Sequence, residues 1–212
     1  MDSFVQIQND AYFWLGTSDS NRAFPRAQIK RVINMAAAAI YEDVVQSFPD
    51  SMTVRKTLTA DATDTTSYIL ASQSPAITNA GKIVEVRLNT AEGSELTEVP
   101  FSERYVRPGL TYSVVGIGSS TVLYGGRSVA PGVNLSLAYV PTYTALDADS
   151  DEPTWLPEGF GDVLSLAAVR LAAGSGNEQT MSPLLLDRLQ DRLAQLWVAC
   201  GQRSLSPTVA RR

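Results

Sequence analysis

The sequence has no histidine and only one cysteine, Cys200, among its 212 residues. Histidine is the side chain most used to move protons near neutral pH and the commonest imidazole metal ligand, so its absence removes the Ser-His-Asp triad and every histidine-based metal site. One thiol cannot close an internal disulfide, and zinc sites built from several thiolates are excluded with it. No apolar run reaches the roughly 18 residues that would suggest a membrane span. The opening Met1-Asp2-Ser3-Phe4 lacks the positive flank and apolar stretch of a secretory signal. The expectation is a product made in the cytoplasm, with no membrane partner, no cofactor, no metal and no catalytic centre.

What is present suits a folded chain: 44% of the residues are hydrophobic and 18% charged, well above the regime of intrinsic disorder. The net charge of -5 is unevenly placed, because residues 201–212 hold Arg203, Arg211 and Arg212 and no acid, leaving -8 on residues 1–200. An acidic body repels phosphate backbones, which argues against tight duplex binding by counterion release.

Periodicity divides the chain into four parts. Residues 1–50 predict two helices. In the first, Asp2 and Ser3 are caps, Phe4, Ile7, Ala11, Trp14 and Leu15 share a face, and Gly16 ends it. The second starts at Pro25 and runs to about Phe48 on a stripe of Ile29, Val32, Ile33, Ala36, Ile40, Val44 and Val45. The small residues Ala36–Ala39 admit a close helix, either as core packing or as a subunit seam.

Residues 51–145 change to period two and predict a β-domain. Val84, Val86 and Leu88 form one half-buried face, and Val133, Leu135, Leu137 and Tyr139 another, with weaker strands at 52–58, 67–71, 111–115 and 121–124. The polar tips 59–66 and 89–98 are expected to gain order when a neighbour covers them.

Residues 146–200 open with an acidic linker and then give two helices, one from Pro157 to Gly174 and one from Ser182-Pro183 to Gly201. The first carries Phe160, Val163, Leu164, Ala167, Ala168 and Leu171 on one face, and the second carries Leu186, Leu189, Leu193, Leu196, Trp197 and Cys200. Residues 201–212 read as a flexible basic arm. The fold class is α+β: a helical bundle of N- and C-terminal helices with an inserted small antiparallel β-domain, sandwich- or barrel-like.

Few residues suggest chemistry. Asp147, Asp149, Asp151 and Glu158 fall at the first, third, fifth and twelfth places of an EF-hand-like register, but Glu152 and Pro153 stand at the sixth and seventh, where the turn needs glycine first. A solvated acidic loop is the plainer reading. Gly116-Ile117-Gly118-Ser119-Ser120 lacks the lysine and following helix of a phosphate loop and reads as a turn. Arg104, Tyr105 and Arg107 form either an aromatic and basic patch for nucleic acid or a connecting turn whose rings pack on the sheet. Cys200 reads as a buried, inert thiol, and Trp155 as a loop anchor or an interface hot spot.

The acidic linker leads into Pro153-Thr154-Trp155-Leu156-Pro157-Glu158-Gly159-Phe160-Gly161-Asp162-Val163-Leu164 and an alanine-rich helix. This step, with the order of the elements around it, resembles the head-to-tail adaptor, or connector, proteins of tailed bacteriophages. The resemblance covers nearly the whole chain and rests on order, since each motif alone is a capped helix or a turn.

It implies a virion structural protein of the neck, forming a homo-oligomeric ring, commonly twelvefold, under the portal protein. Tail or tail-completion proteins would lie below the ring, and genome DNA would pass through without specific binding. Candidates for docking on the portal or a neighbour are Arg203, Arg211, Arg212 and Trp155, and candidates for the subunit interface are Ala36, Ala37, Leu189 and Leu193. The alternative is a tail- or receptor-interaction module that uses the polar tips.

Overall fold

The computed structural model describes residues 2–18, 24–90, 93–116, 118–174 and 182–205. The chain divides into two compact units: a helical one, up to Met52 and again from Tyr143, and a β one, Thr53–Thr142. Helices from both ends of the sequence thus flank an inserted β region, an α+β arrangement.

The helical unit contains α1 (Phe4–Trp14), α2 (Arg26–Ser47), the single turn α3 (Pro49–Met52), α4 (Gly161–Gly174) and α5 (Pro183–Leu205). Ser3 is the N-cap of α1, and its backbone N–H donates to Gln6 Oε1 at 2.8 Å, half of a capping box. Gly16, at φ 63°, follows its end, in the left-handed region that glycine enters freely. Pro25 is the N-cap of α2 and not its first residue.

The apolar face of α4 is wider than the predicted stripe: Val163, Leu164, Leu166, Ala168, Val169 and Ala172 are all buried. The reason is position, since α1, α2 and α5 all pack against this helix, and a helix enclosed on several sides is apolar nearly all round. Leu171, assigned to the stripe, is exposed. Three helix ends differ from the sequence expectation. Met52 closes the α3 turn instead of opening a strand, α4 begins at Gly161 and not at Pro157, and α5 runs through Gly201 to Leu205.

The β unit holds two open sheets, not a closed barrel. One has the order β1 (Val54–Leu58), β7 (Leu135–Pro141), β3 (Ala80–Leu88); the other has β2 (Ser67–Ile69), β6 (Val122–Gly125), β5 (Thr111–Val115), β4 (Thr97–Glu98). All pairings are antiparallel except the two-residue β4–β5 pair. Parallel neighbours need a long connection, and residues 99–110 supply it. One apolar cluster draws Leu58, Val86, Leu135 and Leu137 from the first sheet and Tyr68, Tyr112 and Leu123 from the second.

Val84 does not share the buried face of Val86. The register of β3 against β7 shifts between Ile83 and Glu85, and an extra residue reverses the side-chain alternation beyond it. Glu85 is thereby held between two arginines: Arg55 Nη1 lies 2.8 Å from Glu85 Oε2, and Arg87 Nε lies 2.5 Å from Oε1.

Burial works against the charge on Glu85, but the hydrogen bonds from Arg87 and Arg55 prevail and hold the carboxyl below its ordinary 4.5. A depressed carboxyl stabilises the fold at neutral pH, and that share is lost as the pH falls through the depressed value. Glu85→Gln should therefore flatten the acid limb of the β unit's thermal stability as the pH falls below the carboxyl's ordinary 4.5, followed by circular dichroism. Parallel acid limbs for wild type and variant would contradict this.

The polar tip at 59–66 is ordered from within. Asp61 Oδ1 accepts from the backbone N–H groups of Thr63 (2.8 Å) and Asp64 (3.2 Å), and Asp64 Oδ1 accepts from that of Thr66 (3.0 Å). These are Asx turns that need no covering neighbour.

Candidate functional site

The linker from Tyr143 to Asp162, whose acids from Asp147 to Glu158 read as a solvated loop, is fastened at several points to the helices of its own unit. Asn34, in the middle of α2, makes the first attachment with all of its polar capacity. Its Nδ2 donates to Leu146 O (2.8 Å) and Lys30 O (3.1 Å), while its Oδ1 accepts from Tyr143 Oη and from the Leu146 N–H, both at 2.8 Å. Burial pushes the Tyr143 phenol up to about 12.

Two acids of the EF-hand-like register, Asp149 and Asp151, are engaged in different ways. Asp149 pairs with Arg26 Nη2 at 2.8 Å and Lys30 Nζ at 3.0 Å; the Lys30 hydrogen bond is the main cause of its lowered pKa, with Arg26 adding to it. Asp151 Oδ2 accepts from the backbone N–H groups of Asp147 (2.7 Å) and Ala148 (2.9 Å), closing the turn. The carbonyls of Asp151 and Asp149 accept from the Phe4 and Val5 N–H groups at 2.7 and 3.1 Å, satisfying free donors of the first turn of α1. Among the described residues no three carboxylate or thiol groups converge as metal ligands would.

Trp155 supplies the next attachment. Its ring meets Tyr41 edge-on at 5.3 Å, and Tyr41 in turn lies 5.8 Å from Tyr143. The indole Nε1 is enclosed without a hydrogen-bond partner. The contact with Tyr41 fits the loop-anchor reading of this residue, and the side chain stays partly exposed.

The last attachment is the strongest. Arg192 of α5 places Nε and Nη2 on the Asp162 carboxylate at 2.9 and 2.7 Å, donates through Nη2 to Gly159 O and through Nη1 to Gln195 Oε1 at 2.7 Å, and lies over the Phe160 ring at 4.7 Å. A planar fork suits this combination of carboxylate, carbonyl and ring, which an ammonium could not match. Gly159, at φ 82°, makes the turn that brings its carbonyl to the guanidinium. Beside it, a Cβ on Gly161 would fall 2.2 Å from Asp2 Oδ2, so glycine there lets a carboxylate rest at the start of α4, where the helix dipole favours it.

No known family model matches this chain, and no curated protein does. Its functional reading therefore rests on its own residues.

Ala36, Ala37 and Leu189 are buried within the helical unit. Side chains already covered by their own chain have no surface for a second one, so these three are core residues and not seam candidates. Leu193 is half-buried. Arg203 lies in the last turn of α5, and Arg211 and Arg212 lie outside the described residues, as do the rest of the arm beyond Leu205, Gly176, Ile117 and residues 91–92 of the second polar tip. Cys200 is buried, and burial raises its thiol pKa against the opposing pull of Arg203. Around the glycine turn, Gly118–Ser120 form one 3-10 turn between β5 and β6.

In the β unit, the connection from β4 to β5 forms the surface that the sequence left open between two readings. The Arg104 guanidinium lies 3.5 Å from the Phe101 ring centroid, 4.3 Å from that of Tyr105 and 5.6 Å from that of Tyr124, and its Nη1 donates to Phe101 O at 2.8 Å. Phe101 meets Tyr124 of β6 edge-on at 5.0 Å, so part of the turn does pack on the sheet. Tyr105 remains 50% exposed and Val106 82%. Arg107 pairs with Glu103 at 2.7 Å, and the Arg127 N–H donates to Arg104 O at 3.3 Å.

Proposed function

We propose that the protein is a structural subunit of the neck of a tailed bacteriophage, forming a ring, twelvefold by resemblance, that joins the portal to the tail and leaves a passage for DNA. The observation that carries this reading is the step Leu156–Asp162, which opens α4 under the Arg192 fork in a chain whose terminal helices flank an inserted β unit. In this reading α1, α2, α4 and α5 form the bundle, and the two sheets with their common core act as a small sandwich.

Charge supports the passage. Seven basic and seven acidic residues cancel within Thr53–Thr142, so the net -5 belongs to the helical unit. A negative wall repels DNA phosphates and lets the duplex slide without sticking. Arg203 in the last turn of α5, with Arg211 and Arg212 beyond it in the sequence, docks on the portal or a neighbouring copy.

Truncation after Leu205 should yield particles with heads and tails unjoined while the shortened chain keeps the wild-type circular dichroism spectrum. Normal joining by the truncated chain would remove the arm's role, and absence of the protein from the head-tail junction of intact particles would remove the assignment itself. The exposed Tyr105 and Val106 surface favours a second reading, a tail- or receptor-binding module; a few copies at a fibre tip, in place of one ring at the neck, would establish it.

A further inference from the structure

We infer that the Phe101–Arg107 surface of one copy docks on the acidic Asp147–Glu152 edge of a second copy, an inference that rests on the ring reading above. The β unit is neutral overall, yet three of its seven basic residues, Arg104, Arg107 and Arg127, gather at this surface, where Glu103 is paired with Arg107. Exposed Tyr105 and Val106 stand among them. Tyrosine and arginine beside an apolar side chain are the composition of interface hot spots.

The chain itself contains the complementary charge. Residues 147–152 carry four acids and no base. Asp149 is neutralised by Arg26 and Lys30 and Asp151 is used inside the turn, which leaves the exposed carboxylates of Asp147 and Glu152 with no ion pair among the described residues.

Both surfaces are already rigid, the first through the stacking of Arg104 and the second through its bonds to α1 and α2. Docking of prearranged surfaces loses little side-chain and loop entropy. Because the two surfaces differ, the contact is heterologous, and such contacts repeat head-to-tail into a ring when the rotation closes.

A charge exchange tests this with the full chain. One variant carries Arg107→Glu with Arg127→Glu, the other Asp147→Lys with Glu152→Lys; all four positions are exposed, and Arg104 keeps its stacking role. Sedimentation velocity should show wild-type assemblies that weaken with added salt, each variant alone weakened about tenfold or more, and recovery in the equimolar mixture, where opposite charges again face each other. Val106→Asp, a separate variant at an exposed site, should also weaken assembly without changing the circular dichroism spectrum.

Wild-type assembly by both charge variants alone, or a mixture that does not recover, would overturn this docking and leave the ring reading standing. A wild-type chain that is monomeric both in solution and in disrupted particles would overturn the two together.

Discussion

Replacing Arg192 with alanine should destabilise the helical unit by about 2–3 kcal/mol, read as an earlier urea transition in the helical signal at 222 nm. The side chains of Arg192 and Asp162 are only 24% and 23% exposed, so the surviving carboxylate is left half-buried without its partner. Gly159 O loses its donor and Phe160 its stacked cation at the same time.

Removing one member of such a pair is far costlier than the net worth of the pair, because a charge stays behind in a poorly hydrated place. Arg192→Lys keeps the charge but not the fork, and should recover less than half of the loss. A loss below about 0.5 kcal/mol for the alanine variant would mean that water replaces the guanidinium, and that the attachment is a surface ion pair of little worth.

Asn34→Ala should lower stability by a similar amount, about 2–3 kcal/mol, for a different reason. No charge is stranded. Instead the Tyr143 hydroxyl, the Leu146 N–H and the Leu146 carbonyl lose partners at a partly buried position, and groups that neither the protein nor water fully satisfies bear the desolvation penalty. Tyr143→Phe removes one of the same bonds. The double variant should therefore lose less than the sum of the singles, by roughly 1 kcal/mol, and strict additivity in chemical denaturation would show that the Asn34–Tyr143 bond carries no stability.

These two residues mark where the sequence stopped being legible. The helices announced themselves through apolar spacing, and the strands through alternation, because burial of one face leaves a local periodic trace. Asn34 and Arg192 leave none. A polar residue at the margin of an apolar stripe looks the same whether it is solvated or holds a loop 112 residues away in sequence, as Asn34 holds Leu146.

The same limit left Ala36 and Ala37 open between core packing and a subunit seam, because small side chains permit close approach, while their burial within their own unit is a matter of tertiary packing. The acidic linker shows the same limit: most of its carboxylates are exposed, as its composition says, but composition does not show that Asp149 pairs with α2 or that the Asp149 and Asp151 carbonyls accept from α1.

By itself the sequence determined which segments bury a face, roughly where the four long helices lie, that an alternating insert divides two helical stretches, and that neither histidine nor paired cysteine is available for chemistry. All of these are written in nearest neighbours and short periods. Tertiary structure alone decided that α4 is enclosed by other helices, that a bulge turns Val84 outward, that two sheets stay open around one core, and that four attachments fix the linker. Each of those depends on groups far apart in the chain meeting in space, and one-dimensional patterning encodes the tendency to bury a residue without saying against what.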